Sequence, residues 1–222
     1  IDMHSDAIEK EMEPRPGAVF SLDLAFSELE KKLAGQGITT MYHSFSFAGA
    51  EFGTRETRTA ADSIRSIVTL ARQHELIHNK IHLRFEITNY QGVDSSMVLL
   101  EEGMVHLFSF MDHTPGQGQY PTIQDYQRYL EKMYQIQSHE VEKILAEKAQ
   151  GRAWSEQSIA VLKEAAQRLA IPLASHDDDS QAKVAYYRDQ GVSINEFPVN
   201  LEAAAAAHGI GNFVCMGAPN IV

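Results

Sequence analysis

The chain has 222 residues, 44% of them hydrophobic, which suffices to bury one substantial core and excludes a fibrous or disordered class. A formal net charge of -11 excludes general affinity for nucleic acid or anionic membrane, since both depend on a basic surface; a small anionic substrate held by local cations stays compatible. The single cysteine, Cys215, rules out an intrachain disulfide and fits a reducing compartment such as the cytoplasm, and no segment approaches the ~18 apolar residues of a membrane span.

Residues 1–6 (IDMHSD) read as a strand in which His4 and Asp6, two apart, point to the same side. They lack the basic region and apolar run of a signal peptide, and because the first residue already falls inside a strand, the chain is expected to be part of a longer protein. The next stretch, AIEKEMEPRPG, mixes charge with Pro14, Pro16 and Gly17 and reads as a loop over that strand end. Residues 21–33 place Leu22, Ala25, Leu29 and Leu33 at helical spacing, and Gly35 and Gly37 end the helix.

Residues 38–47, rich in β-branched and aromatic side chains, read as the second strand, followed by Gly49 and Gly53 and a helix over 60–74. The third strand, 81–88, alternates Ile81, Leu83, Phe85 and Ile87 with His82, Arg84, Glu86 and Thr88. A wholly polar face is unusual for a strand covered on both sides unless that face lines a site. A short helix over 95–102 leads to the fourth strand, 105–112, which runs straight into His113 and a Pro-Gly turn.

Residues 123–150 form a long polar helix, with a break admitted, and Tyr126, Tyr129 and Tyr134 read as its packing and surface. Ser155 is expected to N-cap the next helix, with Trp154 and Ile159 at the spacing of a hydrophobic staple. Strands follow at 172–178, 192–199 and 212–220, the last preceded by an Ala-rich helix at 201–208.

Repeated alternation of strand and helix predicts α/β architecture with a parallel sheet. Seven strands point to a (β/α)8 TIM-type barrel stopping before its eighth strand, since ~250 residues is typical of the complete fold. An open doubly wound sheet is the alternative, disfavoured because a ring converges several strand ends more easily than a flat sheet. The carboxyl ends of strands one, three, four and five carry His4, Asp6, Glu86, His113 and His176, imidazoles and carboxylates of the kind that hold a divalent metal ion. His43, His82, His106 and His139 read as structural or solvated. Asp177 and Asp178, beside His176, either orient its imidazole, as a metal-bound histidine requires, or cap the following helix.

The stretches DMHSDAIEK, EPRPG, HNKIHLRFE, MDHTPGQ, ASHDD, NEFP and MGAPN, in this order along the whole chain, resemble the PhnM family of the amidohydrolase superfamily, which acts in phosphonate use. The resemblance implies a metal-dependent hydrolase with one or two divalent ions, zinc first and manganese or iron as alternatives. His4 and Asp6 would be first-strand ligands, Glu86 the carboxylate in place of a bridging carboxylated lysine, and His113 and His176 the later histidine ligands. The superfamily's eighth-strand aspartate, its usual proton acceptor, has no counterpart before Val222, so no general base is assigned. A small β-rich domain is expected outside residues 1–222.

The resemblance further implies hydrolysis of α-D-ribose 1-methylphosphonate 5-triphosphate to the 5-phosphate and pyrophosphate. The partner would then be a small phosphorylated sugar, and assembly into a homo-oligomer stays open. Lys10 and Arg15, in the loop over the first strand, are candidate phosphate contacts or a solvated loop arm, and Gln117 and Asn220 are polar loop residues within reach of substrate. The ligand set alone also permits a deaminase or cyclic amidase acting on a C–N bond, or a binding protein with a vestigial site.

Overall fold

A computed structural model describes residues 1–15, 17–49, 55–73, 75–134 and 138–217. Pro16, Gly53, His74, Ile136 and Asn220 lie outside the described residues, as does the side chain of Tyr134. The strands are β1 (Asp2–Ser5), β2 (Thr40–Phe47), β3 (His78–Glu86), β4 (Leu107–Met111), β5 (Leu173–His176), β6 (Ile194–Glu196) and β7 (Phe213–Cys215). Between them run α1 (Ala7–Met12), α2 (Leu22–Gly35), α3 (Thr57–Gln73), α4 (Val93–Glu101), α5 (Ile123–Tyr134), α6 (Ser138–Arg152), α7 (Ser155–Arg168), α8 (Gln181–Asp189) and α9 (Leu201–Gly209).

All seven strands are parallel and lie in sequence order, each beside its chain neighbour. A doubly wound sheet reverses its strand order part-way, so this order excludes it. The sheet is also strongly curled. His4 of β1 and Glu196 of β6 lie 3.0 Å apart, whereas strands five places apart in a flat sheet would be separated by about 24 Å at ~4.8 Å per strand. Inward side chains from six strands, Met3, Tyr42, Leu107, Ala174, Ile194 and Cys215, meet in one apolar cluster. That is the filled interior of a (β/α)8-type barrel, with seven strands among the described residues.

The larger core lies outside the barrel wall, where Leu83, Phe85, Phe108 and Phe110 meet Ile64, Leu99, Ile159 and Leu162 of the surrounding helices. No helix among the described residues is long and apolar enough to cross a membrane.

Three local expectations are corrected and one is sharpened. The stretch expected as a loop after β1 begins with α1, because Ile8 is fully buried and Ala7 and Met12 pack on the same core. Burial of that apolar triplet offsets the poor helix-forming context ahead of Pro14. Ser155 does not cap α7: Trp154 occupies the cap position, and Ser155 is the first helical residue, buried. The break admitted in the polar run 123–150 is present, and the run forms two helices, α5 and α6. Finally, α8 is capped by Ser180, whose side chain accepts from the Lys183 backbone, and not by Asp177 or Asp178.

Gly151 in α6 sits where a Cβ would lie 1.9 Å from the backbone oxygen of Thr88, just beyond β3. Helix and strand end therefore touch backbone to backbone.

Candidate metal centre

The carboxyl ends of β1, β4, β5 and β6, with His82 from the middle of β3, supply two adjoining clusters. In the first, His4 Nδ1 lies 3.0 Å from Glu196 Oε1, and His82 Nε2 lies 3.4 Å from Glu196 Oε2. His82 is also 2.6 Å from Ser109 Oγ and 3.2 Å from Ser44 Oγ, so both its ring nitrogens have partners. In the second, His113 Nε2 and His176 Nδ1 lie 3.7 and 3.0 Å from Asp177 Oδ2. The ligand atoms within each cluster lie within 4.8 Å of one another. The His176 ring joins the two, 5.0 Å from that of His4 and 5.8 Å from that of His113.

His4, His113 and His176 are brought together as expected. Glu86 enters as their support: its carboxylate accepts from the His113 backbone N–H (3.1 Å) and lies 2.9 Å from His113 Nδ1, with Lys148 Nζ 3.5 Å away. Asp6 goes elsewhere. Its carboxylate receives Arg84 Nη2 at 2.5 Å and Arg55 Nη2 at 3.4 Å. The cause is local, because the register of β1 on β2 slips between Asp2 and Ser5, the sign of a bulge, and Asp6 lies past the strand at the start of α1. A bulge re-aims side chains, so the strict alternation that pairs His4 with Asp6 does not hold.

Two members were missed in the sequence. His82 and Glu196, both fully buried, complete the first cluster. The signal for Glu196 was available: like Glu86, it is a carboxylate at the last position of its strand. Asp177 sits within the second cluster, while Asp178 accepts from Ser175 Oγ (2.5 Å) and Asn195 Nδ2 (2.8 Å), tying β5 to β6. Asp177 and Phe197, each one residue past its strand, have φ of 53° and 52°. The Phe197 ring lies 4.6 Å from the His4 ring. Positive φ is costly for a bulky side chain, and such strain concentrates at functional sites.

Lys10 and Arg15 are exposed on α1 and the turn after it, and Gln117 is half-buried in the turn after β4. That turn is fixed to the next strand's loop by the Gly118 N–H, which donates to Asp179 Oδ2 at 2.6 Å.

The electrostatics suit a metal. Burial, then the charge of Arg84, depresses His4 to about 2, and burial depresses His82 to about 3. Both are neutral, as ligating imidazoles must be. Burial opposes charge on Asp6, but Arg84 and Arg55 outweigh it and hold the carboxyl below its usual range. His113 differs: burial works against its proton, yet hydrogen bonds and charge from Asp177 and Glu86 raise it to about 9. In the metal-free protein the ring is thus protonated between two carboxylates, and an ion bound there would have to displace that proton.

Buried atoms without hydrogen-bond partners include both ring nitrogens of His176, Asp177 Oδ2 and Glu196 Oε2. Buried polar groups are normally satisfied, and imidazole nitrogens and carboxylate oxygens left open at one centre fit a divalent ion of the zinc, manganese or iron kind.

A pH test follows for the metal-free protein. His113 has a folded pKa above its unfolded one, so its contribution to stability is complete below about 6.5 and is lost as pH climbs through about 9. His113→Ala should therefore lower stability more at pH 6 than at pH 10 in denaturant titrations; an equal loss at both would show the ring to be neutral.

In comparison with known proteins, the chain is 33% identical over a 231-position alignment to the α-D-ribose 1-methylphosphonate 5-triphosphate diphosphatase of Escherichia coli (strain K12). The alignment covers 100% of this chain and 59% of that relative's length. No family model matches, and no solved structure matches.

Proposed function

Because the chain belongs to the PhnM family, we propose that residues 1–222 form the hydrolase barrel domain of an enzyme that cleaves α-D-ribose 1-methylphosphonate 5-triphosphate to the 5-phosphate and pyrophosphate. The observation that carries the reading is the pair of histidine and carboxylate clusters converging at the carboxyl edge of the barrel, where such folds bind their ligands. His4, His82 and Glu196 would hold one ion, and His113, His176 and Asp177 a second; Glu86 holds His113 in place for that purpose. Zinc is the first choice for this donor set. At such a site a divalent ion lowers the pKa of water and offsets phosphate charge.

The chain's own residues do the rest. Glu86 fixes the His113 ring through its Nδ1 and its backbone N–H, leaving Nε2 turned toward Asp177. Ser44 holds the His82 ring at Nδ1, and Nε2, which lies 2.6 Å from Ser109 Oγ in the metal-free protein, would leave that hydroxyl to meet an ion. Lys10 and Arg15, exposed and without side-chain ion pairs among the described residues, are placed to meet the triphosphate as it arrives, and Gln117 would contact substrate from the turn after His113. The proposed substrate is a small polyanion, which an acidic chain can hold through a metal and local cations, and the proposal places the enzyme in the cytoplasm without membrane or nucleic-acid partners.

The test is pyrophosphate release from the ribose methylphosphonate triphosphate by zinc-loaded full-length protein, with His113→Ala alongside. Release that vanishes in the variant supports the reading. Absence of release from folded, zinc-bound protein, with ammonia released instead from cyclic amides or aminated bases, would replace it by the C–N hydrolase reading.

A further inference from the structure

We infer that Arg84 is a phosphate-binding residue of this site, gripping a substrate oxyanion between its Nε and a terminal guanidinium nitrogen. The inference rests on the proposal that a phosphorylated substrate binds at this edge of the barrel. Arg84 lies on the polar face of β3 between His82 and Glu86, one from the first cluster and one that supports the second. It is only 5% exposed.

Removing a guanidinium from water is expensive and is tolerated when its donors are met. Here they are not. Among the described residues its one hydrogen-bonded side-chain partner is Asp6, through Nη2 at 2.5 Å, and Asp6 is itself shared with Arg55. The buried Nε–H has no hydrogen-bond partner among the described residues. A guanidinium carries five donors in a rigid fork, matched to two oxygens of one phosphate. An unmet, buried donor on an already neutralised arginine is therefore a place prepared for an anion.

The other cations near the centre are committed differently. Arg55 spans Asp6, Glu9 and Tyr129, and Lys148 stands against Glu86. Asp6 then becomes the carboxylate that holds the Arg84 fork in its orientation, which accounts for its departure from the metal clusters. The charge of Arg84 also helps keep His4 and His82 unprotonated, so one residue serves both the anion and the ligand set.

The experiment uses zinc-loaded full-length protein and inorganic pyrophosphate as the probe. Arg84→Gln should weaken pyrophosphate binding by about tenfold to a hundredfold, the worth of a lost charge-assisted hydrogen bond, while zinc affinity measured by titration changes by less than about threefold. Arg84→Lys should recover part of the loss. In the wild-type protein, the arginine Nε–H resonance slowest to exchange with solvent should shift on adding pyrophosphate, a readout that needs no variant to fold.

Unchanged affinity in Arg84→Gln, equal loss of zinc and pyrophosphate in both variants, or an Nε–H signal that stays still at saturation would each overturn the inference. Assay of the same wild-type preparation on the ribose methylphosphonate triphosphate separates the two ideas. A shifted Nε–H without turnover keeps Arg84 as an anion site and discards the substrate. Turnover with a silent Nε–H does the reverse.

Discussion

Replacing His176 by alanine is expected to abolish metal-dependent hydrolysis while leaving the metal-free protein nearly as stable as before. Both ring nitrogens of His176 are buried without a well-formed hydrogen bond, although Nδ1 lies 3.0 Å from Asp177 Oδ2, so the side chain gives the metal-free fold little beyond that approach and its ring contacts with His4, His113 and Phe197. An unsatisfied buried polar group costs about 1–3 kcal/mol, which its removal relieves and the resulting cavity takes back. The thermal midpoint of metal-free protein should thus move by no more than ~4 °C. Loss of a directly ligating group should exceed the ~100-fold drop in metal affinity seen for outer partners, and turnover should fall with it. A large fall in metal-free stability, or retention of full zinc affinity, would show His176 to be a structural histidine.

Gly151→Ala is expected to destabilise the protein strongly, although alanine is normally the better helix former by roughly 0.5–1 kcal/mol. The added methyl would be driven into the Thr88 carbonyl at 1.9 Å, and backbone cannot rotate away as a side-chain tip can. Overpacking typically costs about 1–3 kcal/mol, and a clash against backbone belongs at the upper end. Because α6 also carries Lys148 to within 3.5 Å of Glu86, relief of the clash by moving the helix should weaken zinc binding as well. Urea titration and zinc titration of the variant check both effects; a neutral or stabilising result would mean that α6 does not touch the strand end this closely.

Part of this was legible in residue order. The alternation of β-branched runs with helical spacing gave seven strands and a parallel sheet, because period 2 and period 3.6 are local properties of the chain. His113 before its Pro-Gly turn, His176 before its aspartates and Glu86 at the end of the polar face of β3 could be placed at strand ends for the same reason. Phosphate-binding roles for Lys10, Arg15 and Gln117 remain proposals, resting on chain order and resemblance.

Residue order alone thus marks which residues end strands on the ligand-binding side. Partnership was decided only by the tertiary structure. His4 meets Glu196 across 192 residues, and Asp6 meets Arg84 across 78, separations at which no periodicity carries information. Curling of the sheet brings strands one and six together, and the slip in register near His4 turns Asp6 from the clusters to the arginines. Even the helix of residues 7–12 exists because the curled wall gives Ile8 somewhere to be buried. Local pattern sets which way a side chain can face; the curl of the sheet sets what it finds there.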